Sequence, residues 1–185
     1  MALVKTPAPD TLMTAADFEL EGVDGNSYTY QKIAGKNGTV VMFICNHCPY
    51  VQGVADRLTS EAKHLQKAGI GVVAIMPNDV ESHPEDDLDN MVKFAEKHNF
   101  NFPYLIDHTQ DVANSYGAVC TPDFFGFDKN KNLVYRGRLD SAGHHKADTN
   151  TTPELRNAML AVANGEGMLM AEQVPSMGCS IKWRE

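Results

Sequence analysis

Cys45-Asn46-His47-Cys48 stands directly behind an unbroken apolar run, Thr39-Val-Val-Met-Phe-Ile44. A β-branched run without polar alternation suits a strand buried on both faces. Beyond the second cysteine, Val51, Val54, Leu58, Ala62 and Leu65 recur at spacings of three and four, and Gly69 closes the pattern. That periodicity predicts an amphipathic helix. The cysteines therefore mark the point where a buried strand turns into a helix. A disulfide between positions i and i+3 closes easily there, and the unpaired N–H groups of the helix start are expected to face the first sulfur. Their partial positive charge favours thiolate over thiol and makes that sulfur a nucleophile, which the second cysteine then resolves. His47, between the two, stabilises the thiolate further when protonated. Pro49 lacks an N–H, but first-turn positions do not need one.

Three other uses of the spacing compete. Structural zinc needs four ligands, and the sequence has no second C-x-x-C and no pair of histidines four to six residues apart. Haem attachment needs C-x-x-C-H, and residue 49 is proline. The third is a pair of buried, inert cysteines.

The surrounding pattern reads as one α/β domain. Residues 1–16, rich in Pro, Thr and Ala, are expected to be an irregular arm, residues 17–165 the domain, and residues 166–185 a tail packed on it. Phe18–Leu20 and Tyr28–Tyr30 flank Asp24-Gly25 as a hairpin. Gly71–Met76 is a second buried strand. Residues 85–98 form a helix with Leu88, Met91, Val92 and Ala95 inward. Its early Glu85, Asp86, Asp87 and Asp89 match the helix dipole, so this acidic run reads as a helix start rather than a metal site. Tyr104–Ile106 is a short strand, and Asp111–Tyr116 a short helix. Phe124–Phe127 and Leu133–Arg138 form a hairpin around Asp128–Asn132, and a last helix runs through Leu155 and Val162. The order β-α-β-α-β-α-β-β-α implies parallel crossovers followed by an antiparallel pair, hence a three-layer α/β fold with a mixed sheet.

Charge and hydropathy narrow the function. Among 185 residues, 24 acidic side chains against 16 basic ones leave a net charge of −8. Such a chain repels phosphate backbones and anionic membrane surfaces, so neither nucleic acid nor membrane is an expected partner. No window holds 18 consecutive apolar residues, and the first residues show no continuous hydrophobic core of a signal peptide. The expected location is cytoplasmic. That compartment is reducing, so the four cysteines are not expected to be permanent bridges.

The strand Val40–Ile44, the Cys45-Asn46-His47-Cys48 turn, the helix behind it, and Thr121-Pro122 before Phe124–Phe127 resemble the thioredoxin superfamily. More narrowly, Phe43-Ile-Cys-Asn-His-Cys-Pro-Tyr-Val51 and Gly178-Cys-Ser-Ile-Lys-Trp183 resemble the peroxiredoxin-like (AhpC/TSA-related) group of thioredoxin-fold proteins. The resemblance covers roughly residues 15–183. It implies a thioredoxin-like fold with an N-terminal hairpin extension, and a Cys45/Cys48 redox pair without cofactor or resident metal. It gives Cys45 the place of the attacking thiol. Cys48 takes the place of the resolving thiol, and also of the peroxide-reacting cysteine of peroxiredoxins. Pro122 corresponds to the cis-proline that shapes the substrate groove. Two departures stand out. Where peroxiredoxins carry a threonine, this chain has Cys45, so the hydroxyl that orients peroxide is missing. Where thioredoxins carry a buried aspartate, it has Thr39; His47 or Asp123 is a candidate substitute.

Several other side chains remain to be placed, most of them with more than one reading. Cys120, before Thr121, is either a third redox thiol or a small buried side chain. Cys179 either resolves a sulfenic acid on Cys48 or Cys45, pairs with Cys120, or packs the tail down together with Ile181 and Trp183. Arg138 either reaches the thiolate or forms a surface ion pair. His144-His145 reads as a solvated loop or a transient metal site, and Met168, Met170 and Met177 as packing. Three functions follow: a thiol–disulfide oxidoreductase in redox homeostasis, a thiol peroxidase, or a Cu(I) carrier or redox-sensing binder. The partners of the first two are a protein or small-molecule disulfide or a peroxide, plus an external thiol reductant. A monomer and a homodimer are both compatible with the sequence.

Overall fold

The computed structural model describes residues 2–166 and 173–185. In chain order the elements are β1 (Leu3–Lys5), β2 (Glu19–Gly22), β3 (Ser27–Thr29), α1 (Tyr30–Ile33), β4 (Gly38–Phe43), α2 (Pro49–Gln52), α3 (Ala55–Lys67), β5 (Ile70–Met76), α4 (Leu88–Lys97), β6 (Tyr104–Ile106), α5 (Asp111–Ser115), β7 (Cys120–Thr121), β8 (Asp123–Phe127), β9 (Leu133–Gly137), α6 (Glu154–Ala163) and β10 (Met177–Ser180). The main sheet has seven strands in the order β3-β2-β6-β5-β4-β8-β9. β4, β5 and β6 run parallel, and β8 and β9 extend the sheet antiparallel from β4. This is the mixed α/β architecture expected from the element order.

β4 is central and every one of its residues is buried. Its side chains alternate between two cores, as the period of two requires. Val40 and Met42 meet Leu58 and Leu65 of α3, Met91 and Phe94 of α4, and Leu155 and Met159 of α6. Val41 and Phe43 meet Tyr30, Ala113 of α5, Tyr116 and Phe127 on the opposite face. Phe125 sits edge-on to both Phe43 and Tyr116 at 5.7 Å, with the Arg136 guanidinium 4.4 Å over its ring. We expect Phe125→Ala to cost about 3–5 kcal/mol in chemical denaturation, because it removes a fully buried ring packed against Phe43, Tyr116 and Phe127.

The sequence reading needs three corrections here. The helix behind Cys48 is two helices, α2 and α3, separated at Gly53-Val54. Gly53 lies against the loop that carries the histidines; a Cβ there would stand 2.2 Å from the His144 carbonyl oxygen. The helix expected from residue 85 begins at Leu88, after a single 3₁₀ turn over Pro84–Asp86, and Asp87 caps it by accepting from the Asn90 N–H at 2.8 Å. The arm expected to be irregular contains β1.

β1 pairs with β10, and β10 pairs with β7, in a second, three-stranded antiparallel sheet. The tail strand is thus the middle strand of a sheet that ends one residue before Pro122. Met168 and Met170 lie outside the described residues. Among the described residues no helix is long and apolar enough to cross a membrane.

Candidate active site

β4 fixes the first cysteine. The Ile44 N–H still bonds to the Ile75 carbonyl at 3.0 Å, so Cys45 leaves the sheet from an anchored position. Cys48 is the N-cap residue of α2. Both side chains are buried. Facing them is the Thr121–Pro122 peptide, which is cis. Thr121 touches both sulfurs: its Oγ1 lies 3.1 Å from Cys45 Sγ, and its carbonyl accepts from the Cys48 thiol at 3.1 Å. β10 closes the third side. Cys179 is register partner to Thr121, and its Sγ lies 3.0 Å from Cys48 Sγ. The strand approaches so tightly that a Cβ at residue 178 would stand 2.0 Å from the Thr121 carbonyl oxygen, so only Gly178 fits.

Under the turn lies a carboxylate that the sequence reading missed. Asp86 is fully buried and accepts from the N–H groups of Asn46 (2.8 Å) and His47 (3.3 Å), from His47 Nδ1 (2.7 Å) and from Asn78 Nδ2 (2.7 Å). The sequence places it in a helix start; instead the 3₁₀ turn points it inward and leaves capping to Asp87. Tyr104 donates to Asn46 Oδ1 at 3.0 Å, and Asn46 Nδ2 donates to the Glu85 carbonyl. Asn78 also accepts from the Lys182 N–H at 2.9 Å, so one residue joins the cysteine turn to the tail.

The two sulfurs differ in their proton affinity, opposite to the sequence expectation. α2 has four residues, so its dipole is small; individual donors decide. Cys48 is pulled down to about 5 by the adjacent Cys45 thiol first, then by the Cys179 thiol and the N–H groups of Cys179 and Val51, against the penalty of burial. The carbonyl of Thr121 is the acceptor that holds the proton when Cys48 is a thiol. Cys45 is held well above the ordinary range, first by burial, then by the neighbouring Cys48 and the charge of Asp86, which the Thr121 hydroxyl only partly offsets. In the reduced pair the charge belongs on Cys48.

The other candidates resolve one by one. His47 bonds through Nδ1 to Asp86, so its bond goes under the turn rather than to either sulfur, and its ring stacks on His83 at 5.6 Å. Arg138 makes a two-pronged ion pair with Glu154 at 2.6 and 2.8 Å, which is the ion-pair alternative. The buried arginine is Arg136, one turn of the strand alternation away, and it bonds Asp123 at 2.9 Å. Asp123 is therefore committed to Arg136 and does not replace the missing thioredoxin carboxylate. Cys120 is buried, points its thiol to the Pro122 carbonyl at 3.6 Å, and has its proton affinity raised by burial. Ile181 is buried, whereas Trp183 is 40% exposed and anchors little. His144 lies 4.4 Å from the Tyr50 ring, and His145 is exposed.

Metal-ligating atoms of Cys45, His47 and Asp86 lie within 4.8 Å of one another. Sulfur, imidazole and carboxylate would suit a borderline ion such as zinc. The trio is already engaged, however. Asp86 accepts from four N–H donors, and a metal would have to displace His47 from it. A mostly apolar cavity of about 270 Å³ opens beside Pro122, lined in part by Tyr50, Val54, Phe124, Arg138 and His144.

A cysteine pair leaving a central strand opposite a cis-proline marks a thioredoxin-like fold. The chain belongs to the AhpC/TSA family, which matches residues 12–136. It is similar in structure to an uncharacterized conserved protein from Geobacillus kaustophilus, with a TM-score of 0.93 and 41% identity over 100% of this chain and 97% of that one. Peroxidoxin BcpB from Mycobacterium tuberculosis shares the fold at a TM-score of 0.60 and 19% identity, over 83% of this chain and 95% of that one. In sequence the chain is 28% identical over 117 residues to the thiol-disulfide oxidoreductase ResA of Geobacillus thermodenitrificans. That alignment spans 63% of this chain and 63% of the relative.

Proposed function

We propose that this protein is a thiol–disulfide oxidoreductase in which Cys48 is the attacking sulfur and Cys45 its partner. The observation that carries the reading is the cysteine pair at the strand-to-helix turn facing the cis Thr121–Pro122 peptide, and the choice of Cys48 follows from its lowered proton affinity beside Cys45 and Cys179. The Cys48 thiolate attacks a substrate disulfide, forming a mixed disulfide and releasing one substrate thiolate. Cys45 then attacks Cys48 Sγ; its proton passes to the second leaving thiolate, and a Cys45–Cys48 bridge forms. An external thiol reductant, such as the cytoplasm supplies, returns the bridge to the dithiol. The name carried by the ResA relative points to the same chemistry.

The test is a pH titration of thiolate ultraviolet absorbance, comparing the reduced protein with Cys48→Ala. Cys48 is half ionised at about 5, so the signal that Cys48→Ala removes should be nearly complete by about pH 6. Below 5 it should fall about tenfold per unit, because protonation consumes the thiolate. Insulin reduction by the dithiol form should follow the same profile. A titration centred near the ordinary thiol range of about 8.5 sinks the assignment.

Burial of both sulfurs favours a second reading, a thiol peroxidase, because a small hydroperoxide reaches them more readily than a folded protein does. Cys48 would attack one peroxide oxygen, become a sulfenic acid and release hydroxide or alkoxide; a neighbouring thiol would then expel water and close the disulfide. Thioredoxin-coupled NADPH consumption that depends on hydrogen peroxide separates this reading from the first.

A further inference from the structure

Cys179 is the thiol at this corner that a two-cysteine cycle leaves without a role. We propose that Cys179 is a second resolving thiol, which closes a Cys48–Cys179 bridge between the start of α2 and the tail strand. The proposal rests on Cys48 being the attacking sulfur.

The two sulfurs are 3.0 Å apart, and a disulfide needs about 2.0 Å, so bond formation requires an approach of roughly 1 Å. The placement is built rather than incidental. β10 is paired on both edges, by β1 and by β7. Ser176 Oγ donates to the Pro122 carbonyl at 2.7 Å on one side of Cys179. On the other side, Ile181 is buried, and the Lys182 carbonyl accepts from the Asp79 N–H at 2.9 Å and from Gln110 Nε2 at 2.8 Å. Gly178 allows the strand to lie directly on Thr121.

Electrostatics favours this thiol over Cys45 as a competitor for oxidised Cys48. The Asp86 charge opposes ionisation of Cys45. Lys182 favours ionisation of Cys179, which stands at about 12 because of burial first and contact with Cys48 second. Once Cys48 is in a mixed disulfide its charge is gone, and the second of those causes vanishes. The step balances: Cys179 gives its proton to the leaving substrate thiolate, its sulfur bonds to Cys48 Sγ, and the Cys48–substrate bond breaks. The two thiols supply the two electrons that reduce the substrate disulfide.

The test uses the full chain carrying Cys45→Ser and Cys120→Ser, treated with oxidised glutathione, quenched in acid and mapped by peptide mass spectrometry. A parallel background with Cys45→Ala guards against misfolding of either one. We expect peptides containing Cys48 and Cys179 to be linked, with both halves of the glutathione released. Adding Cys179→Ser should arrest the protein as a glutathione adduct on Cys48, with a lifetime at least about tenfold longer. An adduct on Cys48 that persists equally with Cys or Ser at 179 overturns the proposal and leaves Cys48 as the nucleophile. Absence of any adduct on Cys48 in all variants overturns the nucleophile assignment itself.

Discussion

Cys48→Ser should lower disulfide reduction by roughly 1,000-fold or more, because a serine hydroxyl at this site neither ionises near neutral pH nor forms a disulfide. The comparison that gives the number meaning is Cys45→Ser. That variant keeps the donors from Cys179 and Val51 around Cys48 and should still form the first mixed disulfide. Stopped-flow measurement of the first thiolate released separates the two. If Cys45→Ser abolishes that first release and Cys48→Ser spares it, the order of attack is the reverse of the one proposed here.

Asp86→Ala should destabilise the fold as much as Phe125→Ala does, although it leaves every cysteine and the aromatic core in place. It removes a fully buried acceptor from four N–H donors, two of them on the backbone of the cysteine turn. Each orphaned donor is worth about 1–3 kcal/mol, but the turn can relax and admit water. A net loss of about 3–5 kcal/mol is expected in guanidinium denaturation, as for other buried charged groups whose partners stay behind. The Asp86 charge opposes ionisation of Cys45 in the same turn, so the Cys45 titration should also move downward. A variant within 1 kcal/mol of the parent would mean that water replaces the carboxylate at little cost.

How much of this was readable beforehand depended on range. The β4 run and the helical stripe behind Cys48 are local patterns, and they located the cysteine pair correctly. Asp86 was hidden among Glu85, Asp87 and Asp89 because four acidic neighbours look alike until the backbone turns one of them inward. Pro84 was the only local sign of that turn. Arg136 and Arg138 share a strand parity, so alternation did not separate the arginine that is buried against Asp123 from the one paired with Glu154. β1 and β10 are Leu-Val-Lys and Met-Gly-Cys-Ser, too short to show a period. Each exists because of a partner more than fifty residues away, and no window of sequence contains both. The expected direction of the helix N–H groups failed for a related reason: α2 is one turn long, and the donors that matter come partly from the tail.

That long reach has a consequence for the order in which the protein matures. Cys48 and Cys179 are separated by 131 positions, and the ribosome makes β10 after both strands that flank it. A nascent chain therefore can assemble the sheet core around Cys48 before β10 is available to cover it. During that interval Cys48 has neither the cover of β10 nor the Cys179 groups that lower its proton affinity, so it is more open and less ionised than in the finished fold.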